Sequence, residues 1–599
     1  MQPSVIPGGL RRLLVCYLFN RTRWKLWLLF GVVLAAYAFN IKLAVLYNDW
    51  NGRFFNALQA VDKDGIFREL FYFIGLAAVI IVLLVWAGYL KDRLKLALRR
   101  DITTLFFQRW LSPESAHFLL RESGREPDNP DQRITEDVNA LVSYTVNLSV
   151  SFYDSLLTIG SFSVILWTLS GSAEVWGITI PGYMFWVCVL YTVIATGLTH
   201  LIGRKLKPLN IEAQHQEANL RAALIEKHRH SDAIAGAHAE AVEEAGLRER
   251  FSQLMDVLIT LIKRKRDLDL FTVGVGQFTH LAPIFFALPS FLSGAIQLGG
   301  LMQIRGAFND VARSLSWFIM AYDDLMRMAA AYERLRCLEE GLAQGDADHR
   351  TLLKARGISK TVPLSGSITL AIPDGASVRE LPINLHLVPG TLTVICGPSG
   401  VGKSTLLKVL AGFRGGFAGV LETWGTVFWM PQQTYLPKGT LKAAVTYPKL
   451  MNSVTDERVK ALFEAAGLSQ LSMRLRDTAD WATVLSGGEQ QRLSLLRAVL
   501  SEPEVLLMDE MTSGLDERSG RRMMALLRQQ LPRTALVLVS HQTYMRSLAD
   551  TVIELNPNGE NHGLSFHSFS PQRKHHYRGR PRNGNLGGSA HFWAGFDRG

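Results

Sequence analysis

Gly397-Pro398-Ser399-Gly400-Val401-Gly402-Lys403-Ser404 follows the phosphate-cradling pattern G-x-x-x-x-G-K-[ST]. Leu392 to Cys396, just before it, is short and apolar and reads as a buried strand. Thr405 to Leu410, just after it, reads as the start of a helix. Strand, glycine-rich loop and helix in that order are the context the pattern needs. Glycines let backbone N–H groups approach phosphate oxygens, and the helix N-terminus adds its positive end. Lys403 supplies a mobile charge for the β- and γ-phosphates, and Ser404 offers a hydroxyl to Mg²⁺.

Four more stretches lie downstream. Met430-Pro431-Gln432-Gln433 comes first, then Leu485-Ser486-Gly487-Gly488-Glu489-Gln490-Gln491-Arg492. Val505-Leu506-Leu507-Met508-Asp509-Glu510 is an apolar strand ending in two acids, with Asp516 soon after, and Leu536–Ser540 leads into His541. Phosphoryl transfer needs charge neutralisation and an oriented nucleophile more than covalent chemistry, and these residue types supply both.

With these motifs in this order through residues 363–556, the chain resembles the ABC transporters, whose own signature is the Leu485–Arg492 stretch. The resemblance implies an α/β P-loop ATPase domain using ATP and Mg²⁺. Gly397, Pro398, Ser399, Gly400, Val401, Gly402, Lys403, Ser404 and Thr405 would cradle the nucleotide. Ser404 would hold Mg²⁺ and Asp509 would support it through water, Glu510 would polarise the attacking water, and His541 would be the switch histidine. Gln432 would link the nucleotide site to the membrane domain and contact both the metal and the catalytic groups. Ser486, Gly487 and Gly488 would cap the γ-phosphate held by an opposite subunit, with Asp516 in the nucleotide-binding set. In the family the signature and phosphate loop of one chain point apart. A chain with one such domain is therefore expected to act as a homodimer. One departure stands out: Ala371-Ile372-Pro373-Asp374-Gly375 lacks the aromatic residue on which many members stack adenine.

The first half is of another kind. Apolar runs long enough to cross a bilayer fit Trp24–Leu46, Leu70–Leu90, Val150–Ser170, Pro181–Ile202, Leu270–Phe291 and, last, Ile296–Ala321. The first run is too long for a cleaved signal peptide, and no small-residue cleavage site follows it. Basic clusters mark the N-terminus and the loops after the second and fourth runs, whereas loops 47–69 and 171–180 are poor in them. The positive-inside rule then places both termini and the long loops in the cytoplasm of a multi-pass inner-membrane protein. The sixth run carries Arg305, Asn309, Asp310 and Arg313 at helical spacing. Two readings stay open for it: a helix lining a substrate path, or one projecting into the cytoplasm with its polar groups paired among themselves.

At 599 residues, two or more domains are expected: a transmembrane α-helical domain at 1–338, a linker at 339–362, the ATPase at 363–556 and a disordered tail at 557–599. The net charge of +11 follows from basic residues beside the apolar runs and in the tail. No aromatic-basic motif accompanies it, which argues against nucleic acid as a partner. Cys16, Cys188, Cys337 and Cys396 are scattered without CxxC spacing, which argues against a disulfide framework or zinc site.

Asp49-Trp50, Phe54-Phe55-Asn56 and Asn129-Pro130-Asp131-Gln132-Arg133-Ile134 resemble one branch of the family. It comprises the bacterial fused permease–ATPases of the YddA and SbmA/BacA-like type and the peroxisomal fatty-acyl half-transporters. That branch implies six helices per subunit in an exporter-like dimer, with residues 125–135 and 228–240 as candidate docking elements. It allows peptide-like, cobalamin-like or acyl substrates. A membrane regulator or channel gated by ATP is the rival reading.

Overall fold

The computed structural model describes residues 23–556 apart from 113–115, 123, 176–177, 355, 359–363, 375–376, 415–416 and 424, together with Leu10. The tail at 557–599 lies outside the described residues. Contacts divide the chain into two units, Met1–Asp348 and His349–Gly599.

The first unit is helical. Its main elements are α1 (Trp24–Gln59), α2 (Lys63–Trp110), α3 (Val138–Ser170), α4 (Tyr183–Gly203), α5 (Leu206–Arg229), α6 (Glu240–Leu292), α7 (Leu298–Leu315) and α8 (Tyr322–Lys354). Among the described residues, five stretches, three of them α1, α2 and α6, are long and apolar enough to cross a membrane. The other two are α3 with the turn before it and α4 run together with α5. Their lipid-side character shows in α2, where Phe71, Ile81, Val85 and Trp86 are all exposed. Such a stripe is stable only in an apolar solvent. At 48 residues α2 is about 70 Å long, more than twice the hydrocarbon thickness of a bilayer. The helix therefore runs straight on through the basic cluster Lys91–Arg100 instead of ending at the membrane surface.

The sixth apolar run differs from expectation. It is not one helix to Ala321: α7 stops at Leu315, a four-residue helix Trp317–Met320 follows, and α8 begins at Tyr322. The physical reason is its amphipathic make-up. Leu301, Ile304, Ala307, Phe308 and Val311 are buried against Phe162, Leu166, Met184, Cys188 and Ala287 of α3, α4 and α6. Arg305, Asn309, Asp310 and Arg313 cannot share that face. Asp310 pairs with Arg313 at 3.5 Å, a contact one turn apart on the same helix. Much of the stretch expected as a linker is likewise helical, because α8 continues to Lys354.

Two arginine clamps fasten α8 to the helices before it. Arg334 forks onto Asp137, with Nε–Oδ2 at 2.7 Å and Nη2–Oδ1 at 2.5 Å. Arg109 of α2 donates to Asp346 at 2.8 Å and to Glu339 at 3.1 Å. Asp137 closes the π-helical turn Arg133–Asp137, so the Asn129–Ile134 motif ends against α8, and Arg133 also donates to the Arg334 carbonyl at 2.6 Å. Burial lifts the Glu339 carboxyl above its ordinary range, with Arg109 pulling the other way.

The second unit is built on a parallel sheet. In chain order the strands of its two larger sheets are β1 (Arg356–Ile358), β2 (Leu364–Asp374), β3 (Ser377–Leu387), β4 (Leu392–Cys396), β5 (Phe417–Thr423), β6 (Val427–Met430), β7 (Val505–Asp509), β8 (Ala535–Val539) and β9 (Thr551–Glu554). The five-stranded sheet runs β9-β4-β8-β7-β6, and every neighbouring pair is parallel. A second sheet, β1-β5-β2-β3, is mostly antiparallel and is organised by the β2–β3 hairpin.

Every residue of β4, β7 and β8 is buried, which is why these strands read as unbroken apolar runs. Alternation still sorts their side chains. Val394, Leu506, Met508, Leu536 and Leu538 enter the core that holds Trp481, Leu496, Met523 and Leu527. Ile395, Val505, Leu507, Val537 and Val539 enter the core shared with Leu406, Leu410, Ile368 and Ile383. The sheet is thus a rigid plate with helices on one face and a helix plus the second sheet on the other.

Candidate functional site

Parallel strands present all their C-terminal ends on one edge, and loops from that edge build sites. Across β4, β8, β7 and β6, in spatial order, the loops carry the phosphate-cradling motif, His541, Asp509-Glu510 and Gln432. Motifs more than a hundred residues apart in sequence become neighbours through the strand order alone.

The glycine-rich loop follows β4 and opens helix α9 (Lys403–Ala411). Gly397, Gly400 and Gly402 have φ of 145°, 78° and 108°, a region that side chains disfavour. At Gly397 a Cβ would also stand 2.6 Å from the Leu555 carbonyl oxygen. Lys403 is only 6% exposed and donates to the carbonyls of Gly397 and Pro398, both at 2.9 Å. Burial pulls the Lys403 ammonium below its ordinary range, opposed by Glu510 and Asp509. Val401 is buried in the core under the loop, Ser404 is exposed at the helix start and Thr405 is half-buried.

Ser404 Oγ donates to Asp509 Oδ1 at 3.1 Å. Burial raises the Asp509 carboxyl above its ordinary range, and the Ser404 hydrogen bond opposes this. A hydroxyl and a carboxylate side by side are hard oxygen donors, the set Mg²⁺ takes; two protein ligands leave the remaining positions to phosphate and water. The residues present therefore fit that ion.

Glu510 sits at φ 52°, a left-handed backbone rare outside glycine. It is held there by its N–H donating to the Val539 carbonyl at 3.1 Å and its own carbonyl accepting from Ser513 N–H at 3.0 Å. Strain of this kind collects at functional positions. Its two carboxylate oxygens face two partners: Gln432 Nε2 donates to Oε2 at 3.0 Å, and His541 Nε2 is 3.4 Å from Oε1. The sequence-selected trio Gln432, Glu510 and His541 is thus one cluster. An acidic group fixed between an amide and an imidazole can hold and take the proton of a water.

Ser486 caps helix α10 (Gly487–Ser501) in a capping box: its Oγ accepts from Glu489 N–H at 3.4 Å, and its own N–H donates to Glu489 Oε2 at 3.0 Å. Gly487 and Gly488 form the first two residues of that helix, leaving its N–H groups uncovered by side chains. Ser486→Ala is expected to cost about 1 kcal/mol of stability through the lost cap, read from denaturant unfolding of the ATP-sensitive transition. Asp516 caps the next helix, α11 (Glu517–Gln530), accepting from Ser519 N–H at 3.3 Å. The Ser519 side chain and then this N–H hold its carboxyl below the ordinary range. The side chains of Ala371–Gly375, where adenine would stack in many relatives, lie outside the described residues.

Three residues of this site escaped the sequence reading: Gln491, Thr512 and Gln542. Thr512 Oγ1 donates to Gln542 Oε1 at 3.0 Å, and Gln491 Oε1 accepts from Gly514 N–H at 3.0 Å. Their positions beside recognised motifs were the available signal.

A helical unit of apolar spans followed by this loop-and-signature ATPase defines a membrane transporter of the ATP-binding-cassette class. The description "ABC transporter transmembrane region 2" matches residues 13–292, and "ABC transporter" matches residues 381–513. The chain belongs to the ABC transporters with fused membrane and ATP-binding regions, an ATPase family coupled to transport across membranes.

Among its relatives is the inner membrane ABC transporter ATP-binding protein YddA of Escherichia coli, 33% identical over 534 residues, covering 88% of this chain and 94% of that one. The lysosomal cobalamin transporter ABCD4 of Mus musculus is 26% identical over 508 residues, covering 77% and 80%. ABC transporter D family member 2, chloroplastic, of Arabidopsis thaliana is 25% identical over 612 residues, covering 90% and 84%. The fold is also that of a bacterial Atm1-family ABC exporter with ATP bound, at a TM-score of 0.63 and 17% identity over 93% of this chain and 95% of that one.

Proposed function

We propose that the chain is one half of a homodimeric transporter of the bacterial inner membrane, with both termini cytoplasmic. ATP and Mg²⁺ would bind at the loop Gly397–Thr405, with Ser404 and Asp509 toward the ion. The bound ion would supply charge neutralisation at the phosphates. Ser486, Gly487, Gly488 and Asp516 of the second copy would complete each site. Glu510 holds and takes the proton of the attacking water, while Gln432 and His541 fix its two oxygens. The observation that carries this reading is the Gln432–Glu510–His541 cluster standing beside the phosphate loop on four neighbouring strand ends.

A cavity of about 250 Å³ in the helical unit supports a substrate path along α7. Tyr191, Thr192, Thr279, His280, Asn309 and Arg313 line it. An adjoining cavity of about 390 Å³ shares Tyr191 and Val275 with it and is lined by Leu198, Phe271 and Phe278. Polar and apolar walls side by side suit a substrate with both characters. A peptide, a cobalamin or an acyl compound each meets that description, and one relative is named a cobalamin transporter.

The test is ATPase activity and uptake in sealed proteoliposomes, run against peptides, cobalamin and acyl-CoA with Glu510→Gln as the blank. Accumulation against a gradient of one class, with matching stimulation of hydrolysis, is the expected result. Hydrolysis that opens a passive leak without accumulation would favour the gated-channel reading instead.

A further inference from the structure

The loop Met511–Asp516 lies between the general base and the cap of α11, and glutamines grip it from two sides. Gln542, the residue after His541, uses its whole amide on it. Gln542 Nε2 donates to the Thr512 carbonyl at 3.1 Å and to the Leu515 carbonyl at 3.4 Å. Gln542 Oε1 accepts from Thr512 Oγ1 at 3.0 Å, and Thr512 is completely buried. On the other side Gln491, on the signature helix, accepts from Gly514 N–H at 3.0 Å and donates to Ser513 Oγ at 3.3 Å.

The approach is close at both glycines. A Cβ at Gly514 would stand 3.1 Å from Gln491 Oε1, and one at Gly488 would stand 3.1 Å from the Gly514 carbonyl oxygen. The signature turn therefore meets the backbone of this loop at Gly488, and the Gln491 side chain meets it at Gly514. At the loop's start Ser513 N–H donates to the carbonyl of Glu510, whose backbone is in the left-handed region.

We propose that Gln542 and Gln491 are positioning residues for ATP hydrolysis, tying the signature helix through the loop Met511–Asp516 to His541 and Glu510. The inference rests on the assignment of Glu510 and His541 made above. Its physical basis is reach. Glu510 must hold a water in line with a phosphate while His541 stays 3.4 Å away. Displacements near 1 Å can cost up to about 10²-fold in rate. The Gln542 amide fixes the residue next to His541 to the same loop that leaves Glu510. A leucine there keeps the bulk and drops all three hydrogen bonds. A glutamate keeps the acceptor for Thr512 Oγ1 but turns a carboxylate onto the carbonyls of Thr512 and Leu515.

The experiment uses the full-length protein in lipid nanodiscs. Gln542→Leu, Thr512→Val, their double variant, Thr512→Ser and Gln491→Leu are compared for kcat, ATP KM, Hill coefficient and binding of a non-hydrolysable ATP analogue. Gln542→Leu and Thr512→Val are each expected to lower kcat roughly tenfold with analogue binding within about twofold of the parent. The double variant should be no worse than the poorer single one, because the one bond that Thr512→Val removes is among the three that Gln542→Leu removes. Thr512→Ser restores the hydroxyl and should recover most of the rate. Gln491→Leu should bring the ATP Hill coefficient toward one, since the signature helix no longer holds the loop. Losses of kcat that add in the double variant, or that track weaker analogue binding, would overturn the proposal. Glu510→Gln is run alongside: if it hydrolyses ATP like the parent, the reading of the site itself fails, an outcome separate from the glutamine series.

Discussion

Glu510→Gln is expected to lower kcat for ATP hydrolysis by roughly 10²–10⁴-fold and to leave ATP binding close to the parent's, because on the proposed reading only the proton acceptor is lost. The substitution keeps the shape of the side chain. Gln432 and His541 still have an oxygen or an amide to meet, so the cluster is expected to stay assembled. What disappears is a carboxylate that can accept a proton from water. Single-turnover hydrolysis with purified protein in bilayers, beside equilibrium ATP binding, separates the two. Undiminished hydrolysis would remove Glu510 as base, and a matched loss of binding would make it a nucleotide ligand instead.

Trp481→Ala is expected to destabilise the ATP-binding unit by about 3–5 kcal/mol. Trp481 is wholly buried in the core on the helical face of the parallel sheet. Its indole N–H donates to the Gly439 carbonyl at 2.8 Å, and the Arg474 guanidinium lies 4.9 Å from the ring centre. Removing it opens a cavity and leaves a carbonyl without its donor, and two such costs add. The damage should spread to the signature. Trp481 opens the short helix Trp481–Val484, and Gln490 of α10 donates to the Ala482 and Leu485 carbonyls at 2.8 and 2.9 Å. The measurement is thermal unfolding of the full-length protein in detergent, following the transition that rises when ATP is added. A transition that does not move would show that the pocket collapses around the missing ring.

The site was legible in sequence to the extent that its chemistry sits in contiguous motifs. Lys403 and Ser404 belong to one loop whose pattern announced them, while Asp509 and Glu510 share one strand end and took their roles from the family resemblance. The buried strands were legible for a similar reason: β4, β7 and β8 are apolar on both faces and read as unbroken runs. Gln542 and Thr512 were not legible. Their hydrogen bond spans thirty positions and depends on β7 and β8 being neighbours, a fact of strand order that no local pattern carries. The break between α7 and α8 escaped for the opposite reason. Apolar residues recur through 296–321 often enough to suggest one span, while in α7 one face packs against neighbouring helices and the other carries Arg305, Asp310 and Arg313. Likewise Arg109, Glu339 and Asp346 look like ordinary surface charges in sequence, and only the packing of α2 against α8 makes them a buried trio.

Lys403 held by the carbonyls of its own loop has a kinetic consequence. The ammonium occupies the concave side of the loop and fixes the curve that glycine dihedrals permit. An arriving nucleotide is therefore expected to meet a loop whose curve is already set. Ordering costs that weaken many ligand sites are paid before encounter. Nucleotides that share a triphosphate should then associate at closely similar rates, and preference among bases should appear in how long each one stays.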